Sequence, residues 1–241
     1  MNEAHLHQES RYFQKIQEYL REFVYGGIDG AVTTFAVVAG GFGADLDAGI
    51  IIILGFANLL ADGFSMSVGA YLSAKSDKEN YSKHQSIEYW EIENLPDVER
   101  EEIKDIYKAK GFKGELLENV VDQITSNKDI WVAEMMKDEL NLMEEAKSPF
   151  KIGLATFISF ISVGFIPLLV YLWTFFNPSP INIFFWTSVL TGLAFVFIGA
   201  LKSLVNQTSA IKSIAETVAL GLLAALVAYY VGDILENFFI K

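Results

Sequence analysis

Apolar residues along this chain are gathered into blocks. Runs with almost no charge occupy roughly 24–73 and 150–239, while 74–149 and the first twenty residues hold most of the charges. A helix rises about 1.5 Å per residue, so about 20 apolar residues cross the roughly 30 Å hydrocarbon layer of a bilayer. Five segments meet that length, 23–44, 48–73, 150–176, 181–201 and 213–239. The acidic turn Asp45-Leu46-Asp47 joins the first two, and Asn177-Pro178-Ser179-Pro180 joins the third and fourth, its prolines enforcing a turn.

Between the second and third blocks the pattern changes to amphipathic helix. The spacing predicts four helices, at 76–93 running straight out of the second span, then 97–110, 114–126 and 129–146, with Pro149 stopping the chain before re-entry. Lysine and arginine collect on the cytoplasmic side of short loops. Seventeen of the eighteen here precede the first span, lie in or beside the insertion, or follow the fourth span. The expected fold is therefore all-α: a polytopic membrane protein with five transmembrane helices and a cytoplasmic helical domain inserted between the second and third. It divides into a cytoplasmic N-terminal segment 1–22, spans at 23–73, the inserted domain 74–149, and spans at 150–241.

Composition sharpens that picture. At 52% hydrophobic the chain has more apolar side chain than one soluble core of 241 residues needs. Its net charge of -12 argues against a nucleic-acid partner, whose phosphates require a basic surface, and suits cations instead. Cysteine is absent, which excludes disulfides, thiolate zinc sites and iron–sulfur clusters, so a bound metal would be held by oxygen, imidazole or thioether. The polar N-terminus lacks a basic-then-apolar leader, and no cleavable signal peptide is expected.

Two sets of residues carry candidate chemistry. In the insertion, Glu88 with Glu91, Glu99 with Glu102, and Met135 and Met136 with Glu139 recur at helical spacing. Each set shares one helix face and can present its groups to one point, so three converging faces would form an oxygen-rich cage with a thioether edge. Carboxylates suit Fe(II), Mn(II), Mg(II) and Ca(II), and thioether sulfur tilts the set towards first-row metals such as Fe(II). The same runs also fit a solvated helix face, and the methionines also fit core filler. Within the spans, Asp29 and Asp62 are ionisable groups, and a charge at such depth costs about 2.5–3.5 kcal/mol on insertion scales, so it faces a cavity or a partner by default. Asn58, Asp62 and Met66 form a polar stripe at one-turn intervals on the second span, and Asp29 facing it would make a route for a dehydrated divalent cation. Small residues at Ser65, Gly69 and Ser73 permit close helix approach, within one chain or across a dimer seam.

These residues resemble the vacuolar iron transporter family over nearly the whole chain. The matching pieces are LREFVYGGIDGAVTTFAVVAG at 20–40, DGFSMSVGAYLSAKS at 62–76 and WVAEMMKDEL at 131–140. The resemblance implies a homodimer that exports cytosolic Fe(II), often also Mn(II), in exchange for protons, with no permanent cofactor and the ion as cargo. It assigns metal collection to Glu88, Glu91, Glu99, Glu102, Met135, Met136 and Glu139, and the pore to Asp29 and Met66. One departure is Asn58, where the family frequently has glutamate; either Asp62 substitutes or ion choice and proton coupling differ. A membrane-anchored metal buffer or sensor is the alternative function. A ferroxidase, which typically uses Glu-x-x-His pairs, is not expected, because His84 completes none with Glu88. Lysine outnumbers arginine fifteen to three, which fits a prokaryotic plasma membrane, or a vacuolar membrane if the source is eukaryotic.

Overall fold

A computed structural model describes residues 11–239, with side chains from residue 19 onward. Most of the expected N-terminal segment, including the side chains of Arg11 and Lys15, and Lys241 lie outside those described. Among the described residues all regular structure is helical. Nine α-helices follow in order: α1 Arg11–Gly43, α2 Ala48–Asn94, α3 Pro96–Ala109, α4 Glu115–Thr125, α5 Lys128–Glu134, α6 Pro149–Gly164, α7 Leu169–Phe176, α8 Ile183–Asn206 and α9 Ala210–Phe239. A π-helical turn, Met135–Glu139, extends α5, and a 3-10 turn, Ile166–Leu168, links α6 to α7.

Five stretches are long and apolar enough to cross a membrane, and the protein is an integral membrane protein: Tyr19–Gly43, α2, Pro149–Phe176, α8 and α9. Helix α2 has 47 residues, or about 70 Å at 1.5 Å each, more than twice a hydrocarbon layer. Only its apolar first half, ending near Ser73, can lie in lipid; the charged remainder continues unbroken, as the sequence pattern anticipates. The third span, Pro149–Phe176, has the expected extent and carries a 3-10 turn between α6 and α7. Pro167 has no N–H to give to the carbonyl of Val163, so the chain tightens, with Leu168 N–H donating to Phe165 O at 3.0 Å.

The described chain forms two compact units, Leu72–Ala146 and the remainder. In the membrane unit α1 packs against α6, α8 and α9, and α8 packs against α9. Two apolar clusters fill it, one around Phe35, Phe195 and Ile198 and the other around Val38, Leu59, Phe160 and Leu168. Glycine makes the closest crossings possible. A Cβ on Gly30 would stand 2.4 Å from the carbonyl oxygen of Phe160, and one on Gly232 would stand 2.1 Å from that of Gly40. Interhelical hydrogen bonds add to the contact: Ser67 Oγ donates to Gly153 O at 2.8 Å, and Ser159 Oγ donates to Phe23 O.

The inserted unit is built from the charged half of α2 with α3, α4, α5 and the π turn. Pro96 opens α3, Asn127 caps α5 by accepting from the N–H groups of Asp129 and Ile130, and the left-handed Gly111 and Gly114 turn the chain between α3 and α4. Its core holds Ile92, Ile103, Val121, Trp131, Met135 and Met136. The fourth helix expected at 129–146 ends early. After Glu134 the backbone widens so that Leu140 N–H reaches Met135 O, Leu142 N–H reaches Met136 O, and Asn141 at φ 53 turns the chain out. Asparagine tolerates that left-handed conformation better than most residues, which makes it a natural helix stop.

The crossing geometry predicts a contrast between two glycine substitutions. Gly232→Ala should destabilise the solubilised protein by about 1–3 kcal/mol, the usual range for overpacking. Gly192→Ala, whose Cβ meets nothing within 4 Å, should leave melting unchanged. Equal melting temperatures for the two variants, read by size-exclusion after heating, would contradict the packing described.

Candidate metal centre

Glu88 lies one turn before Ile92 on α2, and Glu99 lies one turn before Ile103 on α3, so each carboxylate shares the face that its helix turns to the core. Both are buried, at 3% and 4% exposure, and the Oε2 atom of each is enclosed without a hydrogen-bond partner. Glu91 and Glu102 are half-buried beside them, and Glu139 sits at the exposed margin. Met135 and Met136 are wholly buried in the core that contains Ile92 and Ile103.

Through-space repulsion links the five glutamates. Burial, followed by the charges of Glu139, Glu91 and Glu102, pushes Glu88 up to about 7. Burial, followed by Glu102, Glu88, Glu91 and Glu139, pushes Glu99 up to about 7 as well. Glu139 is raised by burial and then by Glu102 and Glu91. As the side chains stand, no group of three or more Asp, Glu or His among the described residues is drawn tightly enough together to hold an ion. The carboxylates are near enough for their charges to act on one another.

Several cations of this unit are engaged elsewhere. Arg100 pairs with Asp122 and Glu118, Lys104 with Glu118 and Glu101, Lys128 with Glu93, and Lys75 with Glu79. Among the described residues no ion pair includes Glu88, Glu91, Glu99, Glu102 or Glu139. One further network was not anticipated from sequence. Lys110 pairs with Asp138 and stands 3.8 Å from Glu134, and Tyr107 donates its hydroxyl to Glu134 Oε2 at 3.0 Å. Glu134 and Asp138 bracket the two methionines, and their i, i+4 spacing was the available signal.

In the membrane unit Asp29 on α1 and Asp62 on α2 are both half-buried and lie close enough for their charges to act on each other. Met66, one turn beyond Asp62, packs at the edge of the Phe160 cluster. Asn58, one turn before it, keeps its amide nitrogen buried without a hydrogen-bond partner. Asp29, Asp62 and the Asn58–Met66 stripe thus belong to one unit, and the glutamates and methionines to the other.

A sequence profile of the VIT family matches residues 20–233, which takes in both sets. The chain belongs to the VIT family. It is 35% identical over 226 residues to a vacuolar iron transporter of Toxoplasma gondii, covering 91% of this chain and 75% of that protein. A vacuolar iron transporter of Plasmodium falciparum is 32% identical, with 92% and 84% covered, and vacuolar iron transporter 1 of Arabidopsis thaliana is 28% identical, with 91% and 87% covered.

In this VIT-family chain the raised values of Glu88 and Glu99 carry a stability consequence. A carboxyl whose value is higher in the folded chain than in the unfolded one takes up protons on folding. Its stabilising contribution is complete below the unfolded value of 4.5 and is lost as pH rises through about 7. In chelator, the melting temperature of the inserted unit, followed by fluorescence of the buried Trp131, should fall from about pH 5 to about pH 7.5. Replacing both residues by glutamine should flatten that slope; an unaltered slope would place its origin in other groups.

Proposed function

We propose that the chain exports a divalent metal ion from the cytoplasm in exchange for protons, with Fe(II) as principal cargo and Mn(II) or a related ion as a second. The observation that carries this reading is the pair of carboxylates within the membrane spans, Asp29 with Asp62. A membrane-anchored buffer or sensor has no need of acids in lipid, where each is costly, whereas a route for a doubly charged ion has. Membership of the VIT family and relatives named vacuolar iron transporter support the same cargo. They support a transporter in preference to an enzyme.

In this mechanism Glu88, Glu91, Glu99, Glu102 and Glu139, with the thioethers of Met135 and Met136, collect the ion on the cytoplasmic side. That no ion pair among the described residues includes these glutamates, and that Glu88 and Glu99 each keep an unpartnered oxygen, support that role. Two of the collecting acids are half-protonated near neutral pH, so ion uptake displaces protons there. The ion then passes to Asp29, Asp62 and Met66, with Asn58 completing the stripe. Protonation of the membrane acids from the far side turns them into poor ligands and releases it, and alternating access couples the two flows. The lysine distribution supports a cytoplasmic N-terminus and insertion, and the relatives' names favour a vacuolar membrane over a plasma membrane.

A homodimer belongs to the proposal. Ser65, Gly69 and Ser73 leave a small, exposed strip on α2, and a Cβ on Gly69 would meet nothing within 4 Å. The sequence has no cysteine, so a single Gly69→Cys is a clean probe. Oxidation in the membrane should give a covalent dimer, and a purely monomeric product would remove this seam.

Transport itself is tested in proteoliposomes with an imposed pH gradient. Fe(II) entry should fall by roughly tenfold or more in Asp29→Ala, since losing a direct ligand should cost no less than the 10–100-fold seen for outer-shell partners. Undiminished entry would remove Asp29 from the route, and no entry in the unmodified protein would favour the buffer.

A further inference from the structure

We infer that Lys110 and Tyr107 are positioning residues for the metal centre, clamping from outside the π turn that presents Met135, Met136 and Glu139. This inference rests on the collecting role proposed above for those three residues.

A π turn holds more residues per turn than an α-helix, with poorer backbone packing, and such turns concentrate at functional sites. Here it has external support on one side. Glu134, the last residue of α5, and Asp138, inside the π turn, reach the end of α3. Tyr107 Oη donates to Glu134 Oε2 at 3.0 Å, Lys110 Nζ pairs with Asp138 and stands 3.8 Å from Glu134, and the same ammonium lies 4.3 Å from the centre of the Tyr107 ring. One cation, one hydroxyl and two carboxylates thus close a network across the two elements. The Asp138 side chain is only 17% exposed within it.

Helix α3 also carries Glu99 and Glu102. A single rigid element therefore holds two of the collecting glutamates in its first half and grips the π turn at its other end. Met135, Met136 and Glu139 alternate with the gripped residues along the turn, so their distance from Glu99 and Glu102 is set by that grip. Lys110 acts in a second way. Its ammonium pairs with Asp138 and stands 3.8 Å from Glu134, so these two acids face a cation of their own and not the ion. Partners of this kind, which orient ligands without touching the metal, typically alter affinity by about 10–100-fold when removed.

The test titrates Mn(II) into the full-length protein in detergent, reading free ion by electron paramagnetic resonance well below the melting temperature of every variant. Lys110→Met and Tyr107→Phe should each raise the Kd by about tenfold, and Lys110→Arg should restore most of the affinity. Adding Lys110→Met to Asp138→Asn should bring little further loss, because both act through one contact. A merely structural role would lower the melting temperature and leave the Kd of folded protein unchanged. An unchanged Kd in Lys110→Met and Tyr107→Phe, alongside weakening in Glu139→Gln, overturns the positioning inference alone. An unchanged Kd in Glu139→Gln as well overturns the collecting site and this inference with it.

Discussion

Lipid tails are as apolar as leucine, so helices in a membrane gain little by hiding apolar surface from them and must be held by direct contact and interhelical hydrogen bonds. In this chain that contact is made along α1. Gly30 admits the backbone of α6, Gly40 and Gly232 bring α1 against α9, and the Ser159 hydroxyl closes on the carbonyl of Phe23. Successive residues on a helix project about 100° apart. Once Gly30 is pressed on Phe160, Asp29 is directed to a different side of α1, where Asp62 acts on it. The small residues and the acid are thus two consequences of one packing decision.

The inserted unit obeys an opposite rule. Its core is ordinary, but two glutamates occupy core-facing positions where apolar side chains would be more stable. Burial and mutual repulsion then raise Glu88 and Glu99 far above solvated carboxyls. Each nearby cation that forms an ion pair does so with an acid outside the group, although Arg100 and Lys104 share α3 with Glu99 and Glu102. A sequence selected for stability alone would have turned one of them inward. Such departures from local consistency concentrate at functional sites, which supports the collecting role proposed for these glutamates.

Hydropathy made the spans legible because lipid imposes one length and one composition, and the turns at Asp45–Asp47 and Asn177–Pro180 carry strong local signals. Within the third span the composition is uniform and only Pro167 signals the 3-10 turn, since proline is tolerated in many membrane helices. The end of the fourth inserted helix was lost for a different reason. Residues 140–146 have good helix formers, and it is the hydrogen bonding of the π turn, with Asn141 left-handed, that ends the helix there. At the site, Glu88 and Glu99 were visible as spacing, while their burial was not, since EREE reads the same on a wet face. Glu134 and Asp138 escaped notice because their partners, Tyr107 and Lys110, lie a loop and two helices away.

Asn58 is where residue identity and geometry bear on each other most directly. The resembled family frequently has a glutamate at that position, and an amide supplies a dipole without charge. Asp62, one turn along α2, interacts with Asp29, so the membrane unit still holds two acids near each other. Asn58 therefore leaves that turn of α2 without a charge, about 5.4 Å along the helix axis from Asp62. In the proposed orientation α2 runs from the far side towards the insertion, which puts Asp62 nearer the cytoplasm and Asn58 nearer the exit. An ion leaving the Asp29–Asp62 pair would next meet an uncharged oxygen. Conduction requires sites strong enough to enter and weak enough to leave, and a descending order of charge towards the exit favours release over retention.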